Sequence, residues 1–233
     1  MAIEGKGSKV MTLMDAIRER HSVRSYTNQP IAAPVATKMK TLIAACNRES
    51  GLTIQLILEE PDAFNGFMAR YGKFENVRNH IALVGQKSKH LEEQCGYYGE
   101  KVVLEAQRMG LNTCWVAASF SKGKSRAVVN RGQKLLMVIS VGYGQNSGVP
   151  HSNRPLRDLY QCEEPAPEWF RKGVEAAQLA PTAMNQQKFR FALAGTIVSA
   201  QSGKGLYTKT DLGIAKYHFE VGAGRDGWTW KQE

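Results

Sequence analysis

The stretch Arg20-His21-Ser22-Val23-Arg24-Ser25-Tyr26-Thr27 concentrates two guanidiniums, an imidazole and a hydroxyl within its first five residues. Arginine meets a phosphate through two parallel hydrogen bonds and serine adds a short third, so the compact spacing suits one small anion better than a long polyanion. On residue types alone, a charged helix terminus accounts for the cluster equally well. Val10, Leu13, Met14 and Ile17 precede it at helical spacing, and Val35, Met39, Leu42, Ile43 and Cys46 follow it at the same spacing. Two amphipathic helices therefore flank a turn containing Asn28-Gln29-Pro30, and the cluster lies at the end of the first helix.

Farther along, residues 54–58 read as a buried strand, 61–76 as a loop and 81–84 as a second strand. A helix over 99–109 is expected to stop at Gly110, which suits the left-handed C-terminal position. Residues 113–117 and 135–141 are apolar runs without alternation, as in strands covered on both faces, so the expected sheet is sandwiched by helices. A polar stretch over 144–155 and the segment Cys162-Glu163-Glu164-Pro165-Ala166-Pro167 then divide the chain into units 1–165 and 166–233. The second unit repeats the order of the first: helix 170–179, turn, strand Phe189-Arg190-Phe191, Gly-rich loop, helix 211–219, then 222–230. Ala44-Ala45 matches Ala176-Ala177, and Met109-Gly110 to Cys114-Trp115 matches Val221-Gly222 to Gly227-Trp228, making Gly222 the counterpart of Gly110. Gly222-Ala223-Gly224-Arg225-Asp226-Gly227 also fits a dinucleotide fingerprint as a string, but six residues after it cannot supply the required helix and strand.

With 233 residues and 42% hydrophobic composition, the chain can bury a substantial core as one large domain or two fused small ones. The apolar run Leu135–Ile139 is far short of a membrane span, which needs about 20 residues. No apolar segment separates Met1–Lys9 from Asp15, so no secretory signal is expected and the expected location is cytoplasmic. Cys46, Cys95, Cys114 and Cys162 form no CxxC pair, which argues for reduced structural thiols and against zinc. The surplus of 31 Lys and Arg over 21 Asp and Glu is dispersed, densest at Gln86-Lys87-Ser88-Lys89-His90. It reads as a solvated surface and not as a nucleic-acid track.

Ala180-Pro181-Thr182-Ala183-Met184-Asn185-Gln186-Gln187 places a hydroxyl and several amides on a Pro-fixed turn between a helix and a strand. Amides donate and accept together, as the edge of a flat heterocycle with mixed N–H and C=O groups requires; an ordinary helix-to-strand turn is an equal alternative. Residues 20–27, preceded by Asp15-Ala16-Ile17, resemble the N-terminal FMN signature of the nitroreductase-like flavoprotein family. Ala180-Pro181-Thr182 with Asn185 and Gln187 resembles the family's second FMN motif. Gly110-Leu111-Asn112-Thr113-Cys114-Trp115, and Val141-Gly142-Tyr143-Gly144 followed by Arg154-Pro155, resemble its later segments. In the family the second motif lies soon after the first helix pair; here that position reads Asn47-Arg48-Glu49-Ser50-Gly51, and the motif returns only in the second unit. The usual Pro-Trp ending is replaced by Lys188-Phe189.

The resemblance implies an α+β, nitroreductase-like fold, with a central mixed or antiparallel sheet covered by helices and an internal duplication that mimics the family homodimer. One chain acting as a pseudo-dimer would then build one FMN site, as in a single-chain subgroup. By the same resemblance Arg20, His21 and Ser22 would hold the phosphate and ribityl chain, with Arg154 a further phosphate contact. Pro181, Thr182, Asn185 and Gln187 would reach the isoalloxazine. Arg24 would supply electrostatic support, its charge offsetting the negative charge that reduction leaves on the flavin edge. No side chain is then required as nucleophile or metal ligand, since the flavin N5 takes a hydride from NAD(P)H and passes it to a small electron-poor acceptor such as a nitroaromatic or quinone. The alternative is an FMN-binding sensor that does not turn over. His80, His90, His151 and His218 are isolated in sequence and read as surface or structural.

Overall fold

Helix α1 (Leu13–Glu19) opens on a capping box: the Asp15 amide donates to Thr12 Oγ1 at 3.1 Å and the Thr12 amide to Asp15 Oδ2 at 3.0 Å. Helix α2 (Ala33–Ser50) has proline in its first turn and ends on Gly51 at φ 72°. These belong to a computed structural model that describes residues 10–163 and 165–232; the leader expectation for residues 1–9 and Glu164 of the linker fall outside the described residues.

The first sheet contains β1 (Gln55–Ile57), β2 (His80–Gln86), β3 (Asn112–Val116) and β4 (Gln133–Gly142), all antiparallel, in the order β1-β2-β4-β3. The central strands β2 and β4 are almost wholly buried, as their unbroken apolar runs require. On one face α2 and α4 (Leu91–Arg108) pack Met39, Ile43, Val102 and Val103 against Ile81, Leu83 and Ile139. The other face is covered by Phe64, Phe120 and Val77 from irregular segments around α3 (Phe67–Tyr71).

A second sheet contains β5 (Tyr160–Gln161), β6 (Phe189–Ala194), β7 (Ile197–Ser202) and β8 (Thr229–Trp230) in that order. Its β6–β7 pair is antiparallel and its two edge pairs are parallel. Helices α5 (Glu168–Gln178) and α6 (Thr208–Ala223) cover it through Phe170, Val174 and Phe219 on Phe191. The expected single central sheet is thus two four-stranded sheets. Apolar periodicity reports that a strand is covered, but not which strand it pairs with.

Further expectations change: the loop of 61–76 contains α3, and the helix of 99–109 already begins at Leu91. The Gly-rich loop after Phe191 contains β7, reached through a tight connection at Gly195 (φ 61°) and Thr196. Gly222 lies inside α6, its backbone held against Lys172 O of α5, and the helix ends only at Gly224 (φ 74°). Tyr160 and Gln161, assigned by sequence to the first unit, pair in parallel with β6 of the second sheet.

The two sheets meet through their helices, α4 lying on the first and α6 on the second. The helices cross in backbone contact: a Cβ on Gly96 would lie 2.1 Å from Thr210 O, and one on Gly213 would lie 2.0 Å from Glu93 O. Each glycine is the sixth residue of its helix. Among the described residues, no helix is long and apolar enough to cross a membrane, and no group of His, Cys, Asp or Glu is arranged to hold a metal ion.

Candidate functional site

Beyond the α1 C-cap at Arg20, the chain runs extended beside β3: Ser22 bridges Thr113, and the Val23 amide donates to Thr113 O at 3.0 Å. In an extended chain alternate residues share a face, so Val23 enters the core while Ser22 and Arg24 both face a cavity. The Tyr26 hydroxyl, bonded to Val23 O (2.7 Å) and Ser140 Oγ (2.8 Å), fixes this segment. The Arg24 guanidinium lies 5.9 Å from the Phe74 ring centroid, a cation–π contact at the cavity wall.

Arg20 and His21 point elsewhere. Arg20 is buried, 3.8 Å from Glu100 Oε1, and its Nε has no hydrogen-bond partner. Glu100 also takes the Trp115 indole N–H at 2.9 Å and faces His218 Nε2 at 2.9 Å, while His218 Nδ1 lies 3.1 Å from Ala176 O. Burial alone would raise the Glu100 carboxyl, but His218, Arg20 and the Trp115 indole together hold it below the usual range. His21 packs against Gly148 near His151, and its imidazole is held below its ordinary value by burial, then by Arg20 and His151.

The second motif folds back on itself. Met184, Asn185 and Gln187 all take left-handed backbone (φ 53°, 52° and 45°), and the Gln187 amide donates to Thr182 Oγ1 at 3.0 Å. The Gln187 side chain accepts from the Arg154 amide (2.9 Å) and donates to Ser152 O and to Asn185 Oδ1, both at 2.8 Å. Asn185 in turn donates to Ser152 O at 2.9 Å. The amides that the sequence directed at a heterocycle are therefore occupied in closing the turn with Arg154 and Ser152. Pro181, Thr182, Ala183 and Met184 form its cavity wall.

The cavity, of about 540 Å³, has an apolar floor of Trp115, Val116, Ala117, Met137 and Ile214, a volume within the range of small-molecule and cofactor sites. Convergent polar groups come from Ser22, Arg24, Thr182, Thr210 and Asp211. Thr210 Oγ1 is buried behind this wall without a partner and has almost no surface open to the cavity. Asp211 accepts from the Ala183 amide (3.0 Å) and from Gln186 Nε2 (2.8 Å), so α6 anchors the turn. Burial pushes its carboxyl up to about 6 despite those two hydrogen bonds. Thr210 and Asp211 were not singled out from sequence; two polar residues opening an amphipathic helix carry no local sign that they will be buried.

A raised folded-state value means that Asp211 contributes most stability below its unfolded value and loses it as pH rises through about 6. The unfolding temperature of the wild type relative to Asp211→Asn is therefore expected to fall between pH 4 and 7, as measured by calorimetry. A constant difference would show that Asp211 does not titrate there.

The two motifs, 160 residues apart in sequence, thus share one cavity. The family profile described as "Putative TM nitroreductase" matches residues 12–223. The chain belongs to this TM nitroreductase family. Among solved structures, it is similar to a putative nitroreductase from Thermotoga maritima, with a TM-score of 0.68 and 22% identity over 95% of this chain and 88% of that one. A putative nitroreductase from Desulfovibrio desulfuricans, solved in complex with FMN, gives a TM-score of 0.52 and 18% identity over 66% of this chain and 98% of its own. A nitroreductase family protein from Streptococcus pneumoniae gives 0.51 and 14% over 64% and 99%. No curated protein matches. These likenesses concern the fold. The last two are covered almost whole by part of this TM nitroreductase chain, which is the longer molecule.

Proposed function

We propose that this nitroreductase-family chain binds one FMN in the 540 Å³ cavity and transfers electron pairs from NAD(P)H to an electron-poor acceptor such as a nitroaromatic or quinone. The observation that carries the reading is the convergence of Ser22 and Arg24 with Pro181 and Thr182 on that cavity. The FMN held by the Desulfovibrio relative supports the cofactor. Bound FMN would supply the two-electron chemistry. The chain would supply a fixed cation at Arg24, a hydroxyl at Ser22, and an apolar floor that excludes water. Trp115 is held in that floor by its bond to Glu100 and by α4, whose Gly99 leaves no room for a Cβ beside the ring.

We further infer that the second unit stands in for the second subunit of a family homodimer. Apart from the short α3 between β1 and β2, both units run helix, strand, strand, helix, strand: α2-β1-β2-α4-β3 and α5-β6-β7-α6-β8. In the first, β2 and β3 are both antiparallel to the intervening β4 and hence parallel to each other; β7 and β8 are parallel and directly paired, as expected if the strand between them were lost. The reciprocal Gly96–Gly213 crossing is the kind of self-complementary contact a two-fold relation produces. A stoichiometry of one FMN per monomeric chain is expected from light scattering combined with flavin absorbance, and two per chain would refute the substitution.

An absorption spectrum of the purified chain with FMN, followed by anaerobic NADH or NADPH, tests the activity. Flavin bands that bleach support it; flavin that binds but stays oxidised leaves a binding protein without turnover; no binding ends the cofactor reading. Asn185→Ala is expected to weaken FMN several-fold, because alanine in left-handed backbone costs about 1 kcal/mol and the Ser152 bond is lost. Unchanged affinity in a flavin-fluorescence titration would show that closure of the turn is unimportant to the site.

A further inference from the structure

Three large apolar side chains that line the cavity are also among the most exposed in the described chain: Tyr71 (78%), Met184 (80%) and Leu206 (68%). They come from three separate places, α3, the 181–187 turn and the segment before α6, and their combined exposure and lining role puts them at the cavity's opening. Phe67, 79% exposed, lies one helical turn before Tyr71 on the same face of α3 and continues the surface outward. Exposed hydrophobic residues scattered singly need no explanation, but several gathered at one opening do.

The exposure of Met184 and Leu206 is imposed by anchored backbone. Met184 sits in left-handed conformation at φ 53° between Ala183, tied to Asp211, and Asn185, tied to Ser152. Leu206 immediately precedes Tyr207, also left-handed at φ 63°. Strained backbone persists where its surroundings over-determine it, and here it holds two apolar side chains out at the rim. The charged groups among the lining residues are Arg24, Lys73 and Asp211, so the opening is an apolar collar around a cavity with a few polar points. A small ring compound would enter the cavity and leave that collar facing water. A pyridine dinucleotide, polar along most of its length, would not cover it either.

Resting on the reading of the cavity as an FMN site, we propose that the electron acceptor is a ring compound bearing a long hydrocarbon chain. Its ring takes the part of the cavity that FMN would leave open at the mouth, and its chain lies along Phe67, Tyr71, Met184 and Leu206. The unbranched thioether of Met184 adapts to a flexible chain better than a branched side chain would.

Calorimetric titration of the chain, with and without FMN, using 2-alkyl-1,4-naphthoquinones from methyl to hexyl reads the proposal directly. Affinity is expected to rise about two- to fourfold per added methylene, the range for partial to full burial of a CH₂. In Phe67→Ser/Leu206→Ser the gain per methylene is expected to fall below about 1.5-fold. That gradient is a ratio within one protein, so any loss of ring affinity cancels, and unfolding midpoints check that the variant is intact. A flat series on FMN-loaded wild type, or a gradient unchanged in the variant, overturns the proposal and leaves the flavin reading standing. A chain that takes up no FMN but keeps the gradient sinks the flavin reading, the collar's ligand then being apolar but not an electron acceptor.

Discussion

Replacing Glu100 by alanine is expected to destabilise the fold by about 3–5 kcal/mol, the range for breaking a buried ion pair by removing one partner. The carboxylate is fully buried and faces three groups at once: Arg20 from the end of α1, Trp115 from β3 and His218 from α6. Its loss leaves a buried guanidinium without a counter-charge and an indole N–H without an acceptor. Domains of this kind have total stabilities of about 5–15 kcal/mol, so the variant should unfold at a much lower urea midpoint. Glu100→Gln keeps an acceptor for Trp115 and should fall between the two, the remaining cost coming from the lost charge. The pH dependence has a definite sign. Because the folded state holds this carboxyl below the ordinary range, its contribution is present above the unfolded value and is lost as pH falls through the folded one. Glu100→Gln should remove that part of the acid sensitivity, and an alanine variant within 1 kcal/mol of wild type would mean that the cluster is not a structural hub.

Gly213→Ala is expected to cost about 3 kcal/mol and to weaken FMN binding together with stability. The added methyl would meet Glu93 O at 2.0 Å and the Tyr97 amide nitrogen at 2.8 Å, and both are backbone atoms of a helix that cannot turn aside. Overpacking of this kind typically costs 1–3 kcal/mol where side chains can adjust, so a backbone clash belongs at the upper end or beyond. The effect reaches the cavity because α6 carries Thr210, Asp211 and Ile214 to its wall, and separating α6 from α4 moves all three relative to Trp115. Gly123→Ala is the control: its Cβ would meet nothing within 4 Å, and the midpoint should barely change. If Gly213→Ala and Gly123→Ala unfold at the same denaturant concentration, the close crossing is not a constraint on the fold.

Much of the architecture was legible because the signals are local. The apolar spacing around Met39 and Ile43 predicted α2, Gly110 at φ 79° ended α4 where expected, and the alternation Phe189-Arg190-Phe191 returned as buried, exposed, buried. β7 was missed because Ile197-Val198-Ser199-Ala200-Gln201-Ser202 is short, bordered by glycines and only partly buried. Pairing was not legible at all: β4 lies between β2 and β3 and β6 between β5 and β7, and no local signal says that the two strands belong to different sheets.

By itself the sequence determined the positions of most helices and strands and the two segments that meet at the cavity, since residue type, turn chemistry and periodicity act over a few residues. Only the tertiary structure decided how the side chains are used. Ser22 and Arg24 face the cavity, whereas Arg20, two residues before Ser22, turns inward to Glu100. Asn185 and Gln187 spend their amides on Ser152 and each other, while Thr210 and Asp211 arrive from a helix without a recognisable motif. The reason is physical: a buried polar group takes whichever partner the packed chain brings within hydrogen-bond reach, and that partner is set by contacts distant in sequence.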